Sequence, residues 1–339
     1  MKKSWVVLVL RIVLSAAMLA VLLWRVPDFE PSELVPDWEP MSAVWVFLAI
    51  GLTMGSIVLS AIRWEQVLHA LDLRVPLRRL TSHYFAGQFV SNVLPTTIGG
   101  DVLRIARVSR DLGGGHKSEA VASVVIERLT GWLVLPLISV IGLVINRGLL
   151  PDHGAATAAL VINTLAIVGL IGVLYLASHQ KILGRFREHQ NWLQFLGSVH
   201  LGISHLRRHP KDAKKLIVAA FAFQGTLVLA AFCAARVVGI DEAGITAMMA
   251  FIPVVLMVQV LPIGISGLGI RETALVLFLH PLGVDNTQAI ALGLALYFLN
   301  LVASLVGAPA FAFGGKARPR PGVAPDIDPG AEPQAVSAA

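Results

Sequence analysis

The chain has 339 residues, 56% of them hydrophobic and 14% charged, with a net charge of +6 and one cysteine. A soluble domain carries about 25% charged residues, and apolar runs of about 20 residues, the length that crosses a bilayer, recur along most of this sequence. These features exclude an ordinary soluble fold and make the basic balance a mark of cytoplasmic loops rather than of nucleic-acid binding. The lone Cys233 excludes an intrachain disulfide and reads as a small packing residue.

Lys2 and Lys3 precede an apolar run from Trp5 to Trp24. Its length, the interruption at Arg11 and the poor cleavage site at Trp24-Arg25-Val26-Pro27 argue for a first membrane helix rather than a signal peptide. Asp28, Glu30, Glu33, Asp37 and Glu39 then form an acidic external loop. A second helix is expected over 42–62, and Arg63, Arg74, Arg78 and Arg79 return the chain to the basic, cytoplasmic side.

Residues 80–94 are moderately apolar, Pro95 to Gly100 break the pattern, and a short helix follows with Arg104, Arg107 and Arg110. Basic residues at both ends predict a hairpin that enters and leaves by the same face. Full helices are expected over 119–146, carrying Glu127 and Arg128, and over 155–178. The segment His179–Lys215 holds eight Lys or Arg against two acids and reads as cytoplasmic. It is either an interfacial helix on the anionic leaflet or a solvated linker. A fifth helix (216–238) leads to external Asp241 and Glu242, a second hairpin spans 243–282, and a last helix (288–313) returns to Lys316, Arg318 and Arg320. The tail, 316–339, has five prolines and reads as disordered and cytoplasmic.

The two hairpins share a motif. Asn92-Val93-Leu94-Pro95, four residues, Gly100, three residues, Arg104 recurs 167 positions later as Gln259-Val260-Leu261-Pro262, four residues, Gly267, three residues, Arg271. Proline ends a helix, and Gly99, Gly100, Gly264, Gly267 and Gly269 allow a close turn. Charge counts independently orient 42–146 and 216–313 oppositely. The expected fold is therefore an all-α polytopic membrane protein of about six full transmembrane helices, an inverted-topology repeat with two re-entrant helical hairpins in a single membrane domain over 1–315.

Helix N-termini facing the midplane offer unpaired N–H groups and partial positive charge to an anion. Arg104 and Arg271, one turn into each short helix, can hold phosphate oxygens bidentately. Asp101, Glu127, Arg128 and Glu272 add ionisable groups where they are costly and hence functional candidates. Each has a plainer reading: continuous kinked helices at Pro95 and Pro262, a helix cap at Asp101, a structural ion pair at Glu127, a positive-inside residue at Arg104. The histidines show no metal-ligand spacing; His83 and His280 read as interfacial. No metal and no cofactor is expected.

Phe89 through Pro95, Gly99-Gly100-Asp101 with Arg104, Glu127-Arg128-Leu129-Thr130-Gly131, Pro262 through Gly269 with Glu272, and Arg63-Trp64 together resemble the lysylphosphatidylglycerol synthase transmembrane (flippase-like) family over about 5–315. The resemblance implies a bacterial inner-membrane protein that moves lipids between leaflets, or assists that, and the basic residues at both ends place its termini in the cytoplasm. Bifunctional members carry a soluble aminoacyl-transferase domain after the membrane part; here a short tail follows Phe313, so lipid lysinylation is not implied. The size fits stand-alone members such as the hopanoid-associated HpnL-like group. Three readings compete: a flippase for an anionic phospholipid or polyprenyl-type lipid, a membrane-embedded enzyme acting on a lipid phosphate, and a non-catalytic envelope scaffold. No ATP-binding loop, His-Glu-x-x-His or nucleophile elbow is present, which favours the transporter over the enzyme. The expected partners are membrane lipids with anionic head groups; the oligomeric state, a homo-oligomer included, is left open.

Overall fold

A computed structural model describes residues 40–93, 99–113, 116–149, 154–178, 210–260 and 267–314. Among these the regular structure is helical throughout: α1 (Pro40–Ala70), α2 (Leu77–Val93), α3 (Gly99–Asp111), α4 (Lys117–Ile145), α5 (Gly154–Ser178), α6 (Pro210–Val237), α7 (Ile245–Val258), α8 (Ile270–Leu279), α9 (Asn286–Leu305) and α10 (Gly307–Phe313). Five stretches are long and apolar enough to cross a bilayer: α1, α4, α5, α6 and the run formed by α9 and α10. The expected helix at 5–24, the acidic loop, most of the 179–215 segment and the tail lie outside the described residues.

The four short helices behave differently. At 1.5 Å per residue, α2 spans about 25 Å, α3 about 20 Å, α7 about 21 Å and α8 about 15 Å, against about 30 Å of hydrocarbon. Each pair doubles back on itself. Arg79 and His83 of α2 meet Asp111 at the end of α3, and farther along a Cβ on Gly100 would overlap the Gly87 carbonyl. In the second pair, Phe251 stacks on Phe278 with ring centroids 5.3 Å apart, and Gly267 lies against Gln259. These are antiparallel helical hairpins, which rules out a continuous kinked helix at either motif. Proline alone does not end the helices: Pro136 and Pro253 lie inside α4 and α7. α2 ends at Val93 and α7 at Val258, just ahead of the Leu-Pro motifs whose glycines follow.

The two halves exchange partners. α1 packs along α6, the first arm of each hairpin packs on the last helix of the other half, α7 on α4 and α2 on α9 and α10. Both crossings pass over a glycine. A Cβ on Gly142 would sit 2.5 Å from the Ala250 amide nitrogen, and one on Gly307 would overlap the Phe85 carbonyl. Ser139 in α4 donates to the Ala250 carbonyl at 2.6 Å and accepts from Asn163 in α5 at 2.8 Å, satisfying polar groups where the backbones meet.

The apolar core is uneven. Its main body surrounds α7 and α8, with Met248, Phe251, Leu275 and Phe278 fully buried. A smaller cluster around Trp64, Leu80, Val108 and Val124 supports the first hairpin.

Candidate functional site

The first half gathers charge at one place. α1 continues through Arg63, which is buried rather than marking a cytoplasmic surface. The expected helix end at Ile62 is thereby corrected: the helix runs to Ala70 because Trp64, Val67 and Leu68 continue its buried face. Arg63 reaches Glu127 on α4, and Arg104 on α3 binds the other carboxylate oxygen of Glu127 at 3.0 Å. Tyr84 on α2 donates its hydroxyl to Glu127 at 3.2 Å. The Arg104 guanidinium lies 3.9 Å from the Tyr84 ring centroid and 4.3 Å from that of Trp64, and Arg63 is 4.5 Å from Phe223. Aromatic faces hold guanidinium groups well in dry surroundings.

Gly87 and Gly100 make this possible. A Cβ at Gly87 would meet the Arg104 stem at 2.9 Å, so α2 and α3 close around the arginine only with glycine there. Asp101 lies within the first turn of α3, not at its cap, and its carboxylate pairs with Arg128 and, at 3.4 Å, with Arg104. A carboxylate there also complements the helix dipole. Glu127 and Arg128 point apart: Glu127 is 1% exposed and faces the arginines, whereas the Arg128 side chain is 48% exposed.

Three guanidinium groups thus meet two carboxylates. Arg63 Nε and Nη1 and Arg104 Nε have no hydrogen-bond partner among the described residues, and neither has the Gln224 Oε1 carbonyl. Gly131 lies beside them, its Cβ position 3.1 Å from Arg63 Nη1 and 3.5 Å from Gln224 Nε2.

The second half holds a smaller set. Arg271 binds Glu272 at 2.7 Å, and the Gly269 N–H donates to the other Glu272 oxygen at 2.7 Å. Gly267 and Gly269 adopt φ of 76° and 84°, which favour glycine, as the chain turns into α8. Glu272 is fully buried against Gly293, Arg271 Nε has no hydrogen-bond partner among the described residues, and the Tyr297 ring centroid is 5.7 Å from the guanidinium carbon.

The structure therefore brings together Gly100, Asp101, Arg104, Glu127 and Arg128, with Gly99 opening the same helix. It groups Gln259, Gly267, Gly269, Arg271 and Glu272 separately. Asn92 instead donates to the Asn300 carbonyl at 3.2 Å, tying α2 to α9. Pro95, Pro262 and Gly264 lie outside the described residues. Sequence reasoning missed Arg63, Tyr84 and Gln224 as members of the first cluster. The signal for Arg63 was its place inside an unbroken helical pattern. His83 is buried within the protein, its ring nitrogen 2.9 Å from Asp111.

Helices of spanning length, two hairpins too short to span and buried ion pairs among them define an all-helical, multi-pass membrane protein. The chain belongs to the lysylphosphatidylglycerol synthase transmembrane-region family, whose pattern matches residues 8–307. This is a membrane-domain family associated with lipid handling. Comparison with curated proteins gives no significant match.

Proposed function

We propose that this protein moves an anionic phospholipid or polyprenyl-type lipid between the leaflets of the bacterial inner membrane. The single observation that carries this is the charge balance at the first hairpin: Arg63, Arg104 and Arg128 against Glu127 and Asp101. An unbalanced positive charge in low-dielectric surroundings is costly unless an anion completes it. Unpaired guanidinium N–H groups on Arg63 and Arg104 supply the donors a phosphate accepts.

The hairpins are read as re-entrant, dipping from opposite faces, with the head group at Arg104 in one state and Arg271 in the other. The exchange of partners between the halves supports an inverted repeat. Irregular backbone at membrane depth is tolerated where it lines a wet cavity, as the two glycine turns would. The head group crosses through that cavity while the tails remain in lipid, and no covalent bond changes.

The test is reconstitution in liposomes with labelled phosphatidylglycerol. Arg104→Lys with Arg271→Lys, checked for an unchanged melting temperature, is expected to slow exchange between leaflets about tenfold, the loss of one bidentate contact. Unchanged exchange would remove the proposed role. Recovered lipid of unaltered mass is expected; a mass change would turn the reading to an enzyme.

A further inference from the structure

An apolar groove of about 350 Å³ runs between α4 and α5, lined by Leu129, Trp132, Leu165, Gly169 and Val173, with Arg128 on its wall. Its volume falls within the range of ligand sites, about 300–1,000 Å³. Both walls belong to helices of spanning length, and Leu165, Val168, Ile171 and Val173 on α5 are exposed, so the groove opens toward the hydrocarbon of the bilayer. Open space also surrounds Gly169, where an added Cβ meets nothing within 4 Å.

Arg128 joins this groove to the charged cluster. It is the half-exposed member of that cluster, it shares Asp101 with Arg104, and among the described residues the cluster carries one more guanidinium than carboxylates. From named residues and charge we infer that the groove seats one acyl chain of an anionic phospholipid whose phosphate rests on Arg128, a lateral dock beside the Arg63–Glu127–Arg104 cluster. The inference rests on the reading of that cluster as the head-group site and adds where the chain lies and by which side the lipid arrives. A zwitterionic lipid fills the same apolar space without answering the charge, so selectivity between the two reports on Arg128 rather than on the groove.

The experiment places a photoreactive benzoyl-phenylalanine at Gly169 of the full chain, in vesicles of equal parts phosphatidylglycerol and phosphatidylcholine. Irradiation is followed by mass spectrometry of the adducts. Phosphatidylglycerol adducts are expected to exceed phosphatidylcholine adducts about fivefold, the contribution of one basic residue near an anionic surface. The ratio is expected to fall to about one in Arg128→Gln and to persist in Arg128→Lys, as a charge contact requires. Gly172, which also has open space around it but does not line the groove, is expected to show no preference. Equal adducts of both lipids irrespective of residue 128 would overturn the proposal, leaving ordinary boundary lipid. An adduct to residues 5–24 would overturn it too, by making the chain's own apolar segment the occupant. A retained preference with no effect of the arginine pair on leaflet exchange would uphold the dock and remove transport alone.

Discussion

The two arginine sites start from the same motif and end with different charge. Arg104 and Arg271 are 167 positions apart, yet Arg104 takes its carboxylate from α4 across the fold, whereas Arg271 takes it from the adjacent residue of its own helix. The residue 166 positions after Glu127 is Gly293, and the Glu272 side chain occupies the space that glycine leaves. Arg63 has no charged counterpart in the second set. The two motifs thus place an arginine alike while what balances it differs: among the described residues the second set is one guanidinium against one carboxylate, and the first is three against two.

The sharpest way to break this comparison is to remove each carboxylate. Glu127→Gln leaves buried Arg63 without a carboxylate and Arg104 with only the 3.4 Å contact to Asp101, and is expected to cost about 3–5 kcal/mol, seen as a large drop in melting temperature in detergent. Glu272→Gln strands one guanidinium and is expected to cost roughly half as much; equal losses would mean the sites are balanced alike. A transplant sharpens the point. Glu272→Ile with Gly293→Glu rebuilds the cross-helix arrangement, and the pair is expected to recover about 1–2 kcal/mol relative to the sum of the single changes. Additive losses would show that α9 does not face Arg271 as α4 faces Arg104.

The crossings should respond equally in both halves. Gly142→Ala and Gly307→Ala each push a methyl into backbone and are expected to cost about 1–3 kcal/mol, by thermal unfolding. A cost at one alone would break the correspondence. The smallest effect is expected where nothing touches the glycine: Gly55→Ala in α1 and Gly225→Ala in α6 should stabilise by about 0.4–1 kcal/mol.

Much of the fold was legible. Proline followed by glycines announced both hairpins, because proline removes a donor and glycine permits the close return that Gly100 makes on Gly87. Pro136 and Pro253 show why proline alone is a poor guide: no glycine turn follows them, and the helices continue. Glu127, Asp101 and both arginines stood out as charges in apolar surroundings, and an ion pair of Glu127 with a hairpin arginine was one reading, as Arg104 forms it, but the pairings of Asp101 with Arg128 and of Arg271 with Glu272 did not. Arg63 was hidden because counting basic residues as loop markers treats every arginine at the edge of an apolar run alike. The room that Gly293 makes for Glu272 was illegible, since a glycine in an apolar helix does not reveal which neighbour needs its missing side chain. The glycines at 142 and 307 were unreadable for the same reason.

Arg107 donates from Nη1 to the Ala310 carbonyl and from Nη2 to that of Phe311, both at 2.9 Å, so one guanidinium of the first hairpin clasps the open end of α10. The tip of the last helix is therefore latched to an element from the opposite half of the sequence. Any rocking that opens the space between the halves must either carry α3 and α10 together as one lever or unfasten this clasp, and unfastening it takes the guanidinium donor from the Phe311 carbonyl while Ala310 keeps the Gly314 N–H at 3.0 Å.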